Sequence, residues 1–89
     1  MAPSPAANDA PPDLLRVERA RLALDVTRAA LCAAAAVSAT SYSKAINGRR
    51  GIRAATVRKL ADALERLAAE KALLRRRLDQ IIREERNVA

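Results

Sequence analysis

The sequence predicts an all-α protein, and two observations lead to that fold class. In the first half of the chain, apolar residues recur at spacings of three and four, and residues suited to helix caps and turns separate three short runs. In the second half, residues 54–86 contain no Gly or Pro and consist mainly of the strong helix formers Ala, Leu, Arg and Glu. A chain of 89 residues leaves room for one small domain with a modest core and an extension.

The N-terminal segment and the first helix are predicted as follows. Residues 1–12 hold all four prolines and almost no large apolar side chain, so we expect a disordered Ala- and Pro-rich tail. Asp13 is the expected N-cap of a helix from Leu14 to about Leu24. Its outer side is expected to carry charged residues, namely Arg16, Glu18 and Arg19. Its apolar stripe comprises Leu14, Leu15, Val17, Ala20, Leu22 and Leu24.

Two short helices are predicted next. Thr27 is the expected cap of a helix from Arg28 to about Ala35, with a narrow inner face formed by Ala30, Leu31 and Ala34. Ser38 is the expected cap of a helix over residues 39–46, which ends where Asn47-Gly48 favours a left-handed turn. Eight residues make a marginal helix, so packing must hold this one in place. The residues expected to pack inward are Val37, Tyr42, Ala45 and Ile46.

The charge and composition of the chain restrict the classes of partner and activity that it can have. Seventeen Lys and Arg against ten Asp and Glu give a net charge of +7, which suits a nucleic acid, with an anionic membrane surface as the alternative. Residues 26–60 contain seven basic side chains and no acidic one. No apolar run reaches the length of a membrane span, and we expect a cytoplasmic protein associated with the nucleoid through DNA. Because the chain has no His and Cys32 is its single Cys, we expect no intramolecular disulfide, metal, cofactor or enzymatic activity. Cys32 is interpreted as a buried filler, with redox sensing as the alternative.

The third helix has the composition of a surface that reads DNA. A helix that enters the major groove, about 12 Å wide, needs short side chains near its N-terminus, with hydroxyls and a cation to meet base edges and phosphates. The residues expected on its outer side are small, polar or basic: Ala39, Thr40, Ser41, Ser43 and Lys44.

The segments ARLALDVTRAAL, AVS, SYSKAINGRR and TVRKLADAL follow one another within residues 19–64. In this order they resemble the lambda-repressor-like, Cro-type helix-turn-helix family of bacterial and phage transcriptional regulators. The lactose-repressor headpiece is similar over residues 37–64, but it normally starts at the second helix, and the extra helix before Thr27 favours the Cro-type family. Two positions depart from the family pattern: Ala36 replaces the usual turn Gly, and Arg53 stands where Ser or Pro commonly opens the next helix.

The resemblance implies sequence-specific binding of double-stranded DNA, most simply repression at an operator, with the outer residues of the third helix on the base-reading positions. It places Thr27 and Arg28 against a phosphate at the start of the second helix. It puts further phosphate contacts in the loop after the third helix, at Asn47, Arg49, Arg50 and Arg53. Two other functions stay open. One is an antitoxin or accessory subunit whose tail or coil binds another protein, and the other is an adaptor whose basic face only attracts anions.

The last helix carries a heptad pattern. Its d positions are Leu60, Leu67, Leu74, Ile81 and Val88, and its a positions are Val57, Leu64, Lys71, Leu78 and Glu85. We expect Val57, Leu60 and Leu64 to face a DNA-binding domain over residues 13–66. Residues 67–89 then form a dimeric coiled coil with a seam of Leu67, Lys71, Leu74, Leu78 and Ile81.

The expected homodimer would read an inverted repeat whose half-site centres lie about 34 Å apart. In a parallel pair, Glu70 would reach Arg75 of the other chain. Antiparallel pairing, a higher oligomer and folding back onto the same domain remain alternatives.

Overall fold

The computed structural model describes residues 11–87, and over that range the chain is helical with short connections and no strand. The helices are α1 (Pro12–Ala23), α2 (Arg28–Ala35), α3 (Ala39–Ile46) and α4 (Ala54–Asn87). The all-α class and the long last helix are therefore confirmed. Most of the predicted tail, and Val88 with Ala89 at the predicted end of the coil, lie outside the described residues.

The N-terminal caps of α2 and α3 are the predicted ones. The Thr27 hydroxyl accepts a hydrogen bond from the Ala30 amide at 3.0 Å, and the Ser38 hydroxyl accepts one from the Ser41 amide at 3.2 Å. The predicted cap of α1 is wrong, because this helix begins at Pro12 and Asp13 lies inside its first turn without capping it. A proline suits the first helical position, since the amide it lacks would have no partner there.

A residue with left-handed backbone follows each of the three short helices. These residues are Asp25 (φ 58°), Ala36 (φ 57°) and Gly48 (φ 72°). The next amide then bonds back to a carbonyl five residues earlier, at 2.9–3.0 Å, in the pairs Val26 to Arg21, Val37 to Cys32 and Arg49 to Lys44. This is the Schellman arrangement, which satisfies the last carbonyls of a helix. Only Gly48 adopts it without the steric cost of a Cβ atom.

The core lies between α1, α2, α3 and the first part of α4. Its buried apolar residues are Leu14, Val17, Val26, Leu31, Cys32, Ala35, Tyr42, Ala45, Leu60, Ala63 and Leu64. The interpretation of Cys32 as a buried filler is confirmed. The predicted inner face of α2 is confirmed at Leu31 and wrong at Ala30 and Ala34, which are exposed. Leu31 and Ala35, one helical turn apart, set the phase of α2 and carry Cys32 inward with them.

Helix α1 also differs from its prediction. Leu15 and Leu22 are exposed, whereas Arg21 is buried and the Glu18 side chain is mostly covered. Leu14, Val17 and Arg21 share one face at spacings of three and four, so the face that packs inward includes a charged residue. A buried guanidinium requires a partner, and Glu18 supplies it one turn away.

Helix α4 contacts its own domain further along than the heptad predicts. Leu67 packs against the core, the Lys71 amine donates to the Asp25 carbonyl at 3.5 Å, and Arg66 donates to the Ala34 carbonyl at 3.0 Å. The expectation that the core covers α4 only as far as Leu64 is therefore wrong by about two turns. From residue 72 to 87 the helix is exposed, and this free part is about 24 Å long.

Candidate nucleic-acid interface

Helix α3 presents its polar side outward. Tyr42 and Ala45 are buried beneath it and fix its orientation on the domain. The predicted base-facing residues lie on the other side, with Ala39, Thr40 and Lys44 exposed and Ser41 and Ser43 half-buried. The structure thus brings the five residues together on one surface, which we call the α3 outer face.

Basic residues flank the α3 outer face on the loop that leads to α4. Asn47, Arg49, Arg50 and Arg53 are all exposed there, as the phosphate assignment requires. The Arg50 guanidinium donates to the Ser41 hydroxyl at 3.2 Å, so one loop cation is held directly beside the outer face.

A cleft next to α3 adds two residues that the sequence reasoning missed. Thr56 and Lys59, on the first turns of α4, line it together with Arg50, Arg53 and Ser38. The sequence pattern did not indicate a role for them in binding, because the heptad in α4 predicts only which residues pack inward. The cleft is lined by three cations and, besides Tyr42, by three hydroxyl-bearing residues, and this composition suits an anionic group.

At the start of α2, the two predicted phosphate residues have different surroundings. Thr27 is exposed and caps the helix. Arg28 is half-buried, and its guanidinium donates to the Glu18 carboxylate at 2.9 Å and to the Ser43 hydroxyl at 3.2 Å. It also lies over the Tyr42 ring, 5.9 Å from the centroid. Arg28 therefore links α2 to α3, and only its remaining N–H groups are free for a phosphate.

The Glu18 carboxylate is the centre of a polar network that joins α1, α2 and α3. It accepts hydrogen bonds from Arg21 Nε (2.8 Å) and Nη2 (2.7 Å), from Arg28 (2.9 Å) and from the Tyr42 hydroxyl (2.7 Å). Arg21 also donates to the Val26 carbonyl at 2.8 Å. Within residues 11–87 every buried side-chain nitrogen or oxygen has a hydrogen-bond partner. The network therefore satisfies its own polar groups and fixes α3 against α1.

The network sets the protonation of its members. Hydrogen bonding to Arg21, with further bonds from Tyr42 and Arg28, outweighs burial and lowers the pKa of Glu18 from 4.5 to about 2. Burial, together with the Glu18 carboxylate, raises the pKa of the Tyr42 hydroxyl. The Glu18 hydrogen bond likewise raises the pKa of Arg21. At neutral pH the carboxylate is charged and the tyrosine is a donor, which is the state that the four hydrogen bonds require.

Other kinds of site find little support in residues 11–87. Within this range no three His, Cys, Asp or Glu side chains lie close enough together to hold a metal ion. Burial raises the pKa of the Cys32 thiol, which favours its unreactive form. None of the helices in the described range combines the length and apolar character of a membrane span.

The comparison with known families agrees with this geometry. A sequence model of the helix-turn-helix family matches residues 17–71, which include most of α1, all of α2 and α3 and the half of α4 that packs on the domain. No curated protein and no solved structure matches the chain. The family match covers more than half of the sequence and includes the α3 outer face. The chain therefore belongs to the lambda-repressor-like helix-turn-helix family of DNA-binding regulators.

Proposed function

We propose that the chain is a sequence-specific transcriptional regulator, most simply a repressor that occupies an inverted-repeat operator as a homodimer. The observation that carries this proposal is the α3 outer face, where small residues, hydroxyls and the Lys44 amine are presented on a helix anchored from behind by Tyr42. Binding to the operator would hold the protein at the nucleoid.

The proposed base contacts follow from the chemistry of the α3 outer face. The Lys44 amine donates to the acceptors on the guanine edge, and the Thr40 and Ser41 hydroxyls either donate or accept. Ala39, at the start of the helix, allows close approach because its side chain is a single methyl group. Ser43 is held by Arg28, so its hydroxyl has a defined position before DNA binds.

The proposed phosphate contacts surround this face. They comprise Thr27 and Arg28 at the start of α2 and Asn47, Arg49, Arg50 and Arg53 in the loop after α3. The cleft beside α3 adds Thr56 and Lys59. Because each neutralised phosphate releases counterions, the logarithm of the affinity should fall with log salt at a slope of about −0.9 per contact.

The homodimer is proposed from the free part of α4. Leu74, Leu78 and Ile81 are exposed on one face of this helix, and contiguous apolar surface of this kind marks an interaction site. A twofold pair would also present two α3 helices to one operator. Each α3 helix contacts only a few base pairs, so the dimer would contact two half-sites instead of one.

Binding assays on two variants test the function. The double variant Thr40→Ala with Lys44→Ala should lose about tenfold or more of its preference for the cognate duplex over random DNA, because each good base contact contributes roughly 1–3 kcal/mol of discrimination. Arg49→Ala is the matched control, since it removes a cation outside the α3 outer face. It should weaken binding to both duplexes alike and make the salt slope shallower by about 0.9. Equal loss of binding to both duplexes in the double variant would contradict the assignment of α3 as the reading helix.

A further inference from the structure

Helix α4 carries apolar residues on one face, interrupted by Lys71 and Glu85, and its own domain covers only the first half. Leu60, Ala63 and Leu64 are buried in the core. Leu78, Ile81 and Ile82 each follow one of them by eighteen residues, which is about five turns of an α-helix, so both triplets lie on the same side. The second triplet is 55%, 54% and 41% exposed. Because α4 is a single unbroken helix, its free face points toward the side on which the domain sits.

We propose that a second copy of this chain covers the free face in an antiparallel orientation, with the C-terminal half of each α4 lying on that of the other. The inference rests on the proposed homodimer and specifies its geometry. It selects one of the two orientations that the heptad leaves open.

The position of the domain argues against a parallel pair. In a parallel coil the two helices stay about 8–10 Å apart and matching residues lie side by side. Residues 57–71 of the partner would then lie against residues 57–71 of the first chain, on the face where Leu60 and Leu64 meet the core and Lys71 meets Asp25. That space is already filled by α1 and α2 of the same chain. An antiparallel partner avoids this volume, because its own domain lies beyond the other end.

The free length selects a register. If Leu78 lies opposite the partner's Ile81, then Ile81 lies opposite the partner's Leu78, and these two layers form the centre of the pair. The partner's Asn87 then lies opposite Ala72, the first residue beyond the Lys71 contact with the domain. A register one heptad closer would place the partner's Glu85 opposite Leu67, which already packs on its own core.

Charges on the flank agree with the same register. Arg77 and Glu84 both occupy g positions, and g positions of one helix face g positions of the other in an antiparallel coil. With Leu78 opposite the partner's Ile81, Arg77 lies near the partner's Glu84, and the symmetric pair repeats this on the other side. The closer register would instead bring the two Arg77 side chains together. In a parallel pair Arg77 would face the partner's Ile82 and gain no ionic partner.

The antiparallel pair separates the two DNA-binding domains. Leu64 and the partner's Leu64 would lie roughly 45 Å apart along the coil, from the helical rise per residue. This exceeds the 34 Å of one DNA turn, so a longer spacer between half-sites fits this pair better than adjacent half-sites do.

Disulfide crosslinking of full-length variants tests the orientation. Leu74→Cys and Glu85→Cys are prepared with different affinity tags, oxidised separately and as a mixture, and separated on a non-reducing gel. In the proposed register residue 74 lies opposite the partner's residue 85, so a disulfide-linked dimer should form in the mixture. It should be lost when either variant is oxidised alone, because identical positions lie about 16 Å apart, beyond the reach of a disulfide. The unmodified chain is the control, since its Cys32 is buried.

The other outcomes overturn different parts of the proposal. A disulfide dimer in each variant alone would show a parallel pair, which refutes the orientation and leaves the homodimer in place. Absence of a disulfide in every sample, together with a monomer mass in sedimentation equilibrium of the unmodified chain, would refute the homodimer itself.

Discussion

The two halves of α4 carry the same kind of face in opposite surroundings. Leu60 and Leu78 are the same residue type on the same side of one helix, yet the first is fully buried and the second is more than half exposed. The difference lies in what covers them, since α1 and α2 close over the first half and end at the Lys71 contact with Asp25. A heptad pattern therefore predicts that an apolar face is buried, but it does not predict whether the same chain or another chain buries it.

Substituting one leucine in each half of α4 should have the largest effects, one on folding stability and the other on dimerisation. Leu60→Ala should lower the free energy of unfolding by about 2–5 kcal/mol, because it leaves a cavity in the domain core. Leu78→Ala should leave the unfolding of the monomer nearly unchanged and should weaken dimerisation. Urea unfolding at a protein concentration below the dimer dissociation constant measures the first effect, and sedimentation equilibrium measures the second. Equal loss of monomer stability in both variants would show that the free half of α4 folds back on its own domain.

Acid should destabilise the domain through the α1 residue Glu18. Its pKa is about 2 when folded and 4.5 in the unfolded chain, so its contribution to stability is complete above pH 4.5 and is lost as the pH falls toward 2. The shift corresponds to about 3 kcal/mol. Glu18→Gln should remove most of this contribution at pH 7 and flatten the decline of stability between pH 4.5 and 2, as followed by circular dichroism.

The matched control for Glu18 is another acidic residue of α1. Asp13 pairs with Arg16 at 3.7 Å, and both side chains are largely exposed. Asp13→Asn should therefore change stability by less than about 1 kcal/mol. A decline with acid that is as steep in Glu18→Gln as in the unmodified chain would contradict the role of the network.

The turn between α2 and α3 offers a smaller change, which should stabilise the domain. Ala36 has a left-handed backbone, which costs a residue with a Cβ atom about 1 kcal/mol relative to glycine. Ala36→Gly should therefore raise the free energy of unfolding by about 0.5–1 kcal/mol. Ala33→Gly, an exposed position inside α2, is the control and should lower it by about 1 kcal/mol. A loss of stability in Ala36→Gly would contradict strain at this turn.

The smallest effect concerns the charges beside the free half of α4. Arg77→Glu should place like charges near the partner's Glu84 and weaken the dimer by roughly 0.2–1 kcal/mol for each of its two pairs. The double variant Arg77→Glu with Glu84→Arg should restore the dissociation constant, measured by sedimentation at low salt. Failure of the second substitution to rescue the first would argue against the antiparallel register.

Local rules were enough to predict much of the fold. Thr27, Ser38 and Asn47-Gly48 act through hydrogen bonds and backbone geometry within a few residues, and the bounds of α2 and α3 followed from them. The α3 outer face was also predictable, because eight residues with one buried side leave the other side outward.

Contacts between distant residues could not be predicted in this way. Glu18 and Arg21 form a recognisable pair one turn apart, but Arg28 and Tyr42 join the carboxylate from ten and twenty-four residues away. How far the domain contacts α4 depends in the same way on a distant pair, because the Lys71 amine donates to a carbonyl forty-six residues earlier. Sequence periodicity carries no information about such distances, and the burial of Glu18 and Arg21 was therefore missed.

The most direct test is selection of bound duplexes from a random DNA pool. It asks whether two α3 helices read one operator because the free halves of α4 join the two chains. The unmodified chain should enrich two copies of one short sequence arranged as an inverted repeat, and Leu78→Glu should lose the fixed spacing between them. Enrichment of a single unrepeated site by the unmodified chain, or of no sequence at all, would contradict the account.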